Sequence, residues 1–383
     1  MDYSGFTEVA LKVIVILGGA KLLAVLLERV GQSAVVGELL LGLVLGPYLV
    51  GWVDPKDPVV AFLAEIGIIV LAFYLGLIAD LDRLFQARRP AIRVALVGMF
   101  LPLTLAALYA RAIGLSWEAA LFLGAALTAT SLVKSGHLLW ETNILHTITG
   151  SVILGAAVLD DLFALWLLAG FHAWLTARPF DWMEFIFEGV LSLMLLGISV
   201  ALGVRWAPHF FRIIERLETR GMLIVGALVF CLSLAALAES LGLAVVVGAF
   251  AAGLMLEYVP QERQIARKVE TLVDLFVPFY FVKAGALLNP TLFGQTWVII
   301  STLVLLGIAI VGKLVSGIGA PRGSRWAVGV GMMPRGEVGL IFALFGLVNG
   351  ILTQELYAVL VMIVLLTTIA TPIILRPLLK RAS

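Results

Sequence analysis

Two adjacent acids, Asp160 and Asp161, stand inside the apolar stretch TITGSVILGAAVLDDLFALWLLAGFHA. A run of that length spans a bilayer, and the pair falls near its middle. One carboxylate in hydrocarbon is expensive. Two side by side repel unless protons, cations or basic side chains neutralise them. Beside a water-filled cavity, such a pair can trade a proton for a metal cation. Asp160 and Asp161 are therefore the candidate cation ligands and proton carriers.

Other polar groups lie at similar depth. Thr128, Thr130 and Ser131 form the cluster TATS in the apolar span 117–139. Pro334 sits in GMMPRGEVG of the span 325–349. Proline removes a backbone donor and clashes with the preceding turn, so that helix is expected to break there. Half-helix ends meeting at the midplane need counter-charges, and their freed carbonyls and hydroxyls can help hold a cation. Arg335 and Glu337 flank the proline and read as structural charges that neutralise helix ends. TATS taken alone, without the rest of the pattern, reads better as helix-packing Ser and Thr. Lys313, in IAIVGKLVSG, is too deep in its span to snorkel, so its natural partner is one of the aspartates. Such a pair is either purely structural or a switch in which an arriving cation competes with the ammonium.

The elements that must position these groups follow from composition. The 383 residues are 62% apolar and 13% charged, with a mean hydropathy of +1.09. That is too little polar surface for a soluble domain of this size, so an all-α polytopic membrane protein is expected. A β-barrel would show short alternating segments instead. Thirteen spans are expected, from 8–28 to 355–376, and an odd count is supported by charge. With the N-terminus outside, the inner loops collect Arg29, Arg83, Arg88, Arg89, Arg93, Arg205, Arg212, Arg216, Arg220, Arg263, Arg267, Lys268, Arg322, Arg325, Arg376, Lys380 and Arg381. The outer loops hold Lys56, Arg111 and Arg178. This asymmetry predicts a cytoplasmic C-terminus in a bacterial-type inner membrane.

Thirteen spans divide as six, one and six, an inverted repeat around a linker helix. The short Gly-rich stretches VGELLLGLVLGP and VVVGAFAAGLMLE occupy related places in the two halves, as do TATS and MMPRGE. The first apolar stretch is too long for a cleaved signal and lacks a basic leader, so it is expected to be retained. No soluble domain is expected after the last span. Cys231 reads as a buried thiol. No nucleotide loop, His/Cys cluster or nucleophile–base pair stands out, so neither enzyme chemistry nor a cofactor is expected. Nothing points to nucleic acid.

The chain resembles the monovalent cation:proton antiporters, specifically Kef/Nap-type sodium–proton exchangers. The likeness rests on VGELLLGLVLGP, TATS, GSVILGAAVLDD, FVPFYFVKAGALL, IVGKLVSG and GMMPRGEVGLIFA, ordered along almost the whole sequence. It implies inverted six-helix repeats with two crossing broken helices. It implies a dimerisation domain (residues 1–82 and 216–292), a mobile core (83–180 and 293–383) and a linker helix (181–215). It also implies a homodimer in the lipid bilayer that exchanges Na⁺, or Li⁺ or K⁺, for H⁺ by an elevator-like motion. By the same likeness Asp161 alternately binds cation and proton, Asp160 pairs with Lys313, and Thr130 and Ser131 line the site.

Two lysines depart from the family pattern. Lys134 lies one turn beyond TATS, where relatives carry a small or apolar residue, and Lys283 lies in FVKAG, where a small residue is usual. Each sits roughly 10 Å from a span end at ~1.5 Å per residue. Each either snorkels into water or lines the ion pathway, where it would hold an aspartate ionised. The second reading opens an alternative, a same-fold transporter of an anionic substrate. Another alternative is a transport-inactive sensor or partner whose aspartates are locked. His137, one turn beyond Lys134, is read as solvated, with a pH-sensitive charge on the pathway as the alternative.

Overall fold

The computed structural model describes residues 3–29, 32–79, 87–131, 134–136, 139, 144, 147–176, 182–216 and 221–379. These residues form helices and connecting turns, with no β-strand among them. The principal helices are α1 (Tyr3–Arg29), α2 (Ala34–Leu45), α3 (Pro58–Leu77), α4 (Arg88–Ala112), α5 (Trp117–Ala126), α6 (Ile148–Thr176), α7 (Trp182–Arg205) and α8 (Ala207–Arg216). They continue with α9 (Met222–Ser240), α10 (Val245–Leu256), α11 (Glu262–Ala286), α12 (Thr296–Ser316), α13 (Arg325–Gly331), α14 (Glu337–Val348) and α15 (Gln354–Leu379). Among the described residues, seven helices are long and apolar enough to cross a membrane, and five shorter apolar helices accompany them. The chain is an all-helical, multi-pass membrane protein.

α8 is a difference from the sequence reading, which left residues 207–216 as loop. Its sequence APHFFRIIER mixes apolar and basic residues. Such a stretch is invisible to a search for unbroken apolar runs, yet it suits a helix lying at an interface.

Two compact units divide the chain. One comprises Met1–Gly19, Asp54–Ala79 and Leu165–Lys283. At its centre α10 packs against α3, α7 and α9. The helix VVVGAFAAGLML is nearly all buried, and its small residues let backbones approach. A Cβ on Gly253 would run into the carbonyl of Phe73, and one on Gly76 into that of Phe250. α3 starts cleanly because Pro58 opens it and the Asp57 carboxylate accepts from the Val59 N–H at 2.9 Å. Lys12 of α1 donates to the same Asp57 at 2.6 Å.

The other unit comprises Ala20–Val53, Asp80–Ala164 and Ala284–Ser383. Here α4 packs on α5 and α12, and α14 on α5 and α15. Phe122 of α5 meets Phe342 and Phe345 of α14, with ring centroids 5.4 and 6.2 Å apart. Ser116 caps α5 by accepting from the Ala119 N–H at 3.2 Å, and Glu118 sits in its first turn. α5 and α14 are each short because each is half of an interrupted span.

Candidate functional site

Two interruptions face one another inside the second unit. After α5, residues 127–131 leave the helical path. After α13, residues 332–336 do the same before Glu337 opens α14. Pro334 accounts for the second break, as it supplies no N–H and cannot follow a helical turn without a clash. Backbone groups freed in a membrane need partners within the protein.

Each interrupted segment supplies donors to the other. The Ser131 N–H donates to Pro334 O at 2.8 Å. Ser135 Oγ donates to Gly331 O at 2.9 Å. The Arg335 guanidinium donates to Ala129 O at 2.7 Å and to Ala309 O of α12 at 3.3 Å. Arg335 is thus buried on carbonyls at the end of α5, where a cation complements the negative end of the helix. Glu337, in the first turn of α14, stands at a positive end and accepts from Ser131 Oγ at 3.2 Å. Thr128 Oγ1 bonds back to Ala125 O at 2.8 Å, closing the last turn of α5.

The two aspartates of α6 reach this crossing in different states. Asp160 is 0% exposed. Its Oδ2 accepts from Lys313 Nζ at 2.5 Å and from Thr130 Oγ1 at 2.6 Å. Gly98 of α4 makes room for the lysine: a Cβ there would lie 3.3 Å from Nζ. The Thr130 hydroxyl has one hydrogen and two acceptors, with Met332 O at 3.2 Å the more distant. Asp161 is 2% exposed, and among the described residues it has neither an ion-pair partner nor a hydrogen bond to Oδ1. It feels the carboxylates of Asp160 and Glu337 and the ammonium of Lys313.

The Lys134 ammonium ends on oxygens of the protein. The side chain is partly buried. Its ammonium donates to Thr368 Oγ1 of α15 at 2.8 Å and to Arg335 O at 3.2 Å. Lys283 belongs to the other unit, where Glu65 is the carboxylate whose field it feels. His137 lies outside the described residues.

Sequence reasoning missed Thr368, Ser135 and the backbone carbonyls of Ala129, Met332 and Arg335. The run LLTTIATP in the last span was a usable signal, since hydroxyls recur there in an otherwise apolar helix. Thr367 and Thr371 bond back to their own helix, at 2.8 Å to Ile363 O and 2.7 Å to Thr367 O. Thr368 turns to the crossing.

In ionised form the cluster carries three carboxylates (Asp160, Asp161, Glu337) against three cations (Lys134, Lys313, Arg335), all on buried or partly buried side chains. Carboxylate, hydroxyl and carbonyl oxygens together suit a hard cation. Among the described residues no group of three or more His, Cys, Asp or Glu is placed to hold a metal. A cation here would rely on the two aspartates and on neutral oxygens.

The model of the family described as "Sodium/hydrogen exchanger, transmembrane" matches residues 13–381. The chain belongs to that family. It is 34% identical over 390 residues to the Na(+)/H(+)-K(+) antiporter GerN of Bacillus cereus, covering 99% of this chain and 96% of that protein. It is 34% identical over 367 residues to a Na(+)/H(+) antiporter of Enterococcus hirae, covering 92% and 94%. Among solved structures, the sodium proton antiporter MjNhaP1 of Methanocaldococcus jannaschii matches with a TM-score of 0.72 at 15% identity, over 98% of each chain. At that identity the likeness is one of fold. The sodium/hydrogen exchanger family thus supplies both the helical membrane architecture and the class of protein, a transporter.

Proposed function

We propose that this chain is a secondary antiporter that exchanges a monovalent cation, Na⁺ foremost with Li⁺ or K⁺ as alternatives, for protons across the bacterial inner membrane. The observation that carries the reading is the contrast within one pair. Asp160 is neutralised by Lys313, while its neighbour Asp161 is buried and, among the described residues, has no basic partner. A lone buried carboxylate is costly in its ionised form, so it is occupied either by a proton or by a cation. Occupancy by one excludes the other, which is the requirement for exchange.

In this reading Asp161 is the carboxylate common to both substrates. A cation that reaches Asp161 also draws on Asp160, in competition with the Lys313 ammonium. Thr130, Ser131 and the freed carbonyls complete its oxygen shell. Thr128, Pro334, Arg335 and Glu337 hold the two breaks open. Residues 83–180 and 293–383 form the moving core, residues 1–82 and 216–292 the dimer domain of a homodimer, and 181–215 the linker. The core slides as an elevator, exposing the aspartates to each side in turn, with the N-terminus outside. Competition at the Asp160–Lys313 pair favours an electrogenic cycle.

The anionic-substrate alternative drew on Lys134 and Lys283. The Lys134 ammonium is bound to a carbonyl and a hydroxyl, and Lys283 lies in the field of Glu65, so neither supports a free anion site. A transport-inactive chain with locked aspartates fits poorly with Asp161, which has no ion-pair partner among the described residues.

The decisive experiment is cation-driven proton movement in proteoliposomes, read with a pH-sensitive dye. Adding Na⁺, Li⁺ or K⁺ is expected to move protons, and Asp161→Asn is expected to abolish the response. Normal exchange in Asp161→Asn, or no response to any of the three cations from well-folded protein, removes the antiport reading.

A further inference from the structure

The Lys134 ammonium occupies an arrangement of oxygens that resembles a cation cage. Arg335 stands between Pro334 and the start of α14, so its carbonyl lies outside any helix. In a membrane such an oxygen needs a donor. It has two: Thr368 Oγ1 at 3.1 Å and Lys134 Nζ at 3.2 Å. Thr368 Oγ1 accepts from the same ammonium at 2.8 Å, so nitrogen, hydroxyl and carbonyl close a triangle. The Glu337 carboxylate lies within electrostatic range of Lys134. Ser131 joins both groups, because its Oγ reaches Glu337 and also accepts from the Lys134 N–H at 3.4 Å. A neutral carbonyl, a hydroxyl and a nearby carboxylate are what a monovalent cation takes as ligands.

We infer that Lys134 is a tethered cation filling a second monovalent-cation site, formed by Arg335 O, Thr368 Oγ1 and the field of Glu337 and sharing no ligand with Asp160. The lysine locks that site shut and fastens the interrupted segment 332–336 to α15. It is a positioning residue for the ion site, since it acts through the backbone that carries Arg335 and Glu337. The inference rests on the exchanger reading for its importance to transport, though the site itself is defined without reference to transport.

The cage makes a chemical prediction. Lys134→Ala deletes the ammonium together with its stem and leaves a cavity open to a small cation. Lys134→Met deletes the charge but keeps the stem. The purified variants are heated in detergent with methylammonium, K⁺ or choline at equal ionic strength, and unfolding is followed by fluorescence. Lys134→Ala is expected to melt several degrees below wild type and to recover with saturable dependence on methylammonium and K⁺. Choline, too large for the cage, is expected to give no recovery. Lys134→Met is expected to be destabilised without rescue, and Lys134→Arg to stay near wild type.

An unshifted Lys134→Ala, or one that responds equally to choline, overturns the inference. If Lys134→Ala cannot be isolated, Thr368→Val carries the test, because it removes the hydroxyl ligand and keeps the lysine. A Thr368→Val protein as stable as wild type then overturns the cage. These melting experiments contain no transport step, so normal exchange in Asp161→Asn would remove the antiport reading and leave the cage standing.

Discussion

The two sides of the helix crossing use the same kinds of residue in opposite ways. On one side a carboxylate, a lysine and a hydroxyl converge on one oxygen: Lys313 and Thr130 both donate to Asp160 Oδ2. On the other side the partners are exchanged. The Ser131 hydroxyl serves the Glu337 carboxylate, while Lys134 goes to a backbone carbonyl and Thr368. The consecutive residues Thr130 and Ser131 divide the two sides between them, and Asp161 feels acids from both. A direct ion pair can be opened by a competing cation or proton. A lysine spent on the backbone holds a segment in place. One side is built to change and the other to hold.

Substitutions can break this contrast. The largest effect is expected at Asp161, where Asn should remove exchange altogether, as measured in proteoliposomes. Next is Lys313→Met, which leaves Asp160 buried and uncompensated. Breaking one partner of a buried pair costs about 3–5 kcal/mol, to be read as thermal destabilisation. The double variant Asp160→Asn/Lys313→Met should recover most of that loss. A double variant no more stable than Lys313→Met would show that the lysine acts independently of the aspartate.

Thr130→Val comes third. It strips a donor from Asp160, the nearer of the two acceptors of that hydroxyl, with an expected cost of about 1–3 kcal/mol for a buried group left unsatisfied. It should also weaken apparent cation affinity in the exchange assay. Ser131→Ala is expected to be the mildest, at about 0.6 kcal/mol, the scale of a hydrogen bond between membrane helices. A Ser131→Ala variant worse than Thr130→Val would reverse the assignment of the changing and the holding side.

Sequence exposed the acids, Lys313 and Pro334 because a membrane makes each of them conspicuous. A charge in hydrocarbon needs a reason, and a proline in a span needs a break. The hydropathy that revealed the spans also carried the all-helical class. The partners of freed carbonyls stayed hidden because they depend on which segments meet. Ser131 and Pro334 are far apart in sequence and bond through backbone atoms that every residue carries. The partners of Lys134 stayed hidden for the same reason: depth along a straight helix says little about a side chain that follows an interruption. α8 was missed because its apolar residues are periodic and not continuous.

The mutual bonding of the two interruptions also bears on how the protein is made. Ala129 O receives its donor from Arg335, 206 residues later in the chain. At about 5–20 residues per second of synthesis, roughly 10–40 s pass between the two. Throughout that interval the first half of the protein holds unpartnered carbonyls at the depth of its fifth span. The nascent first half must therefore be kept in a wet or chaperoned setting, within the insertion machinery, until the second half arrives. A chain truncated before Arg325 should be inserted, fail to settle in lipid and be degraded.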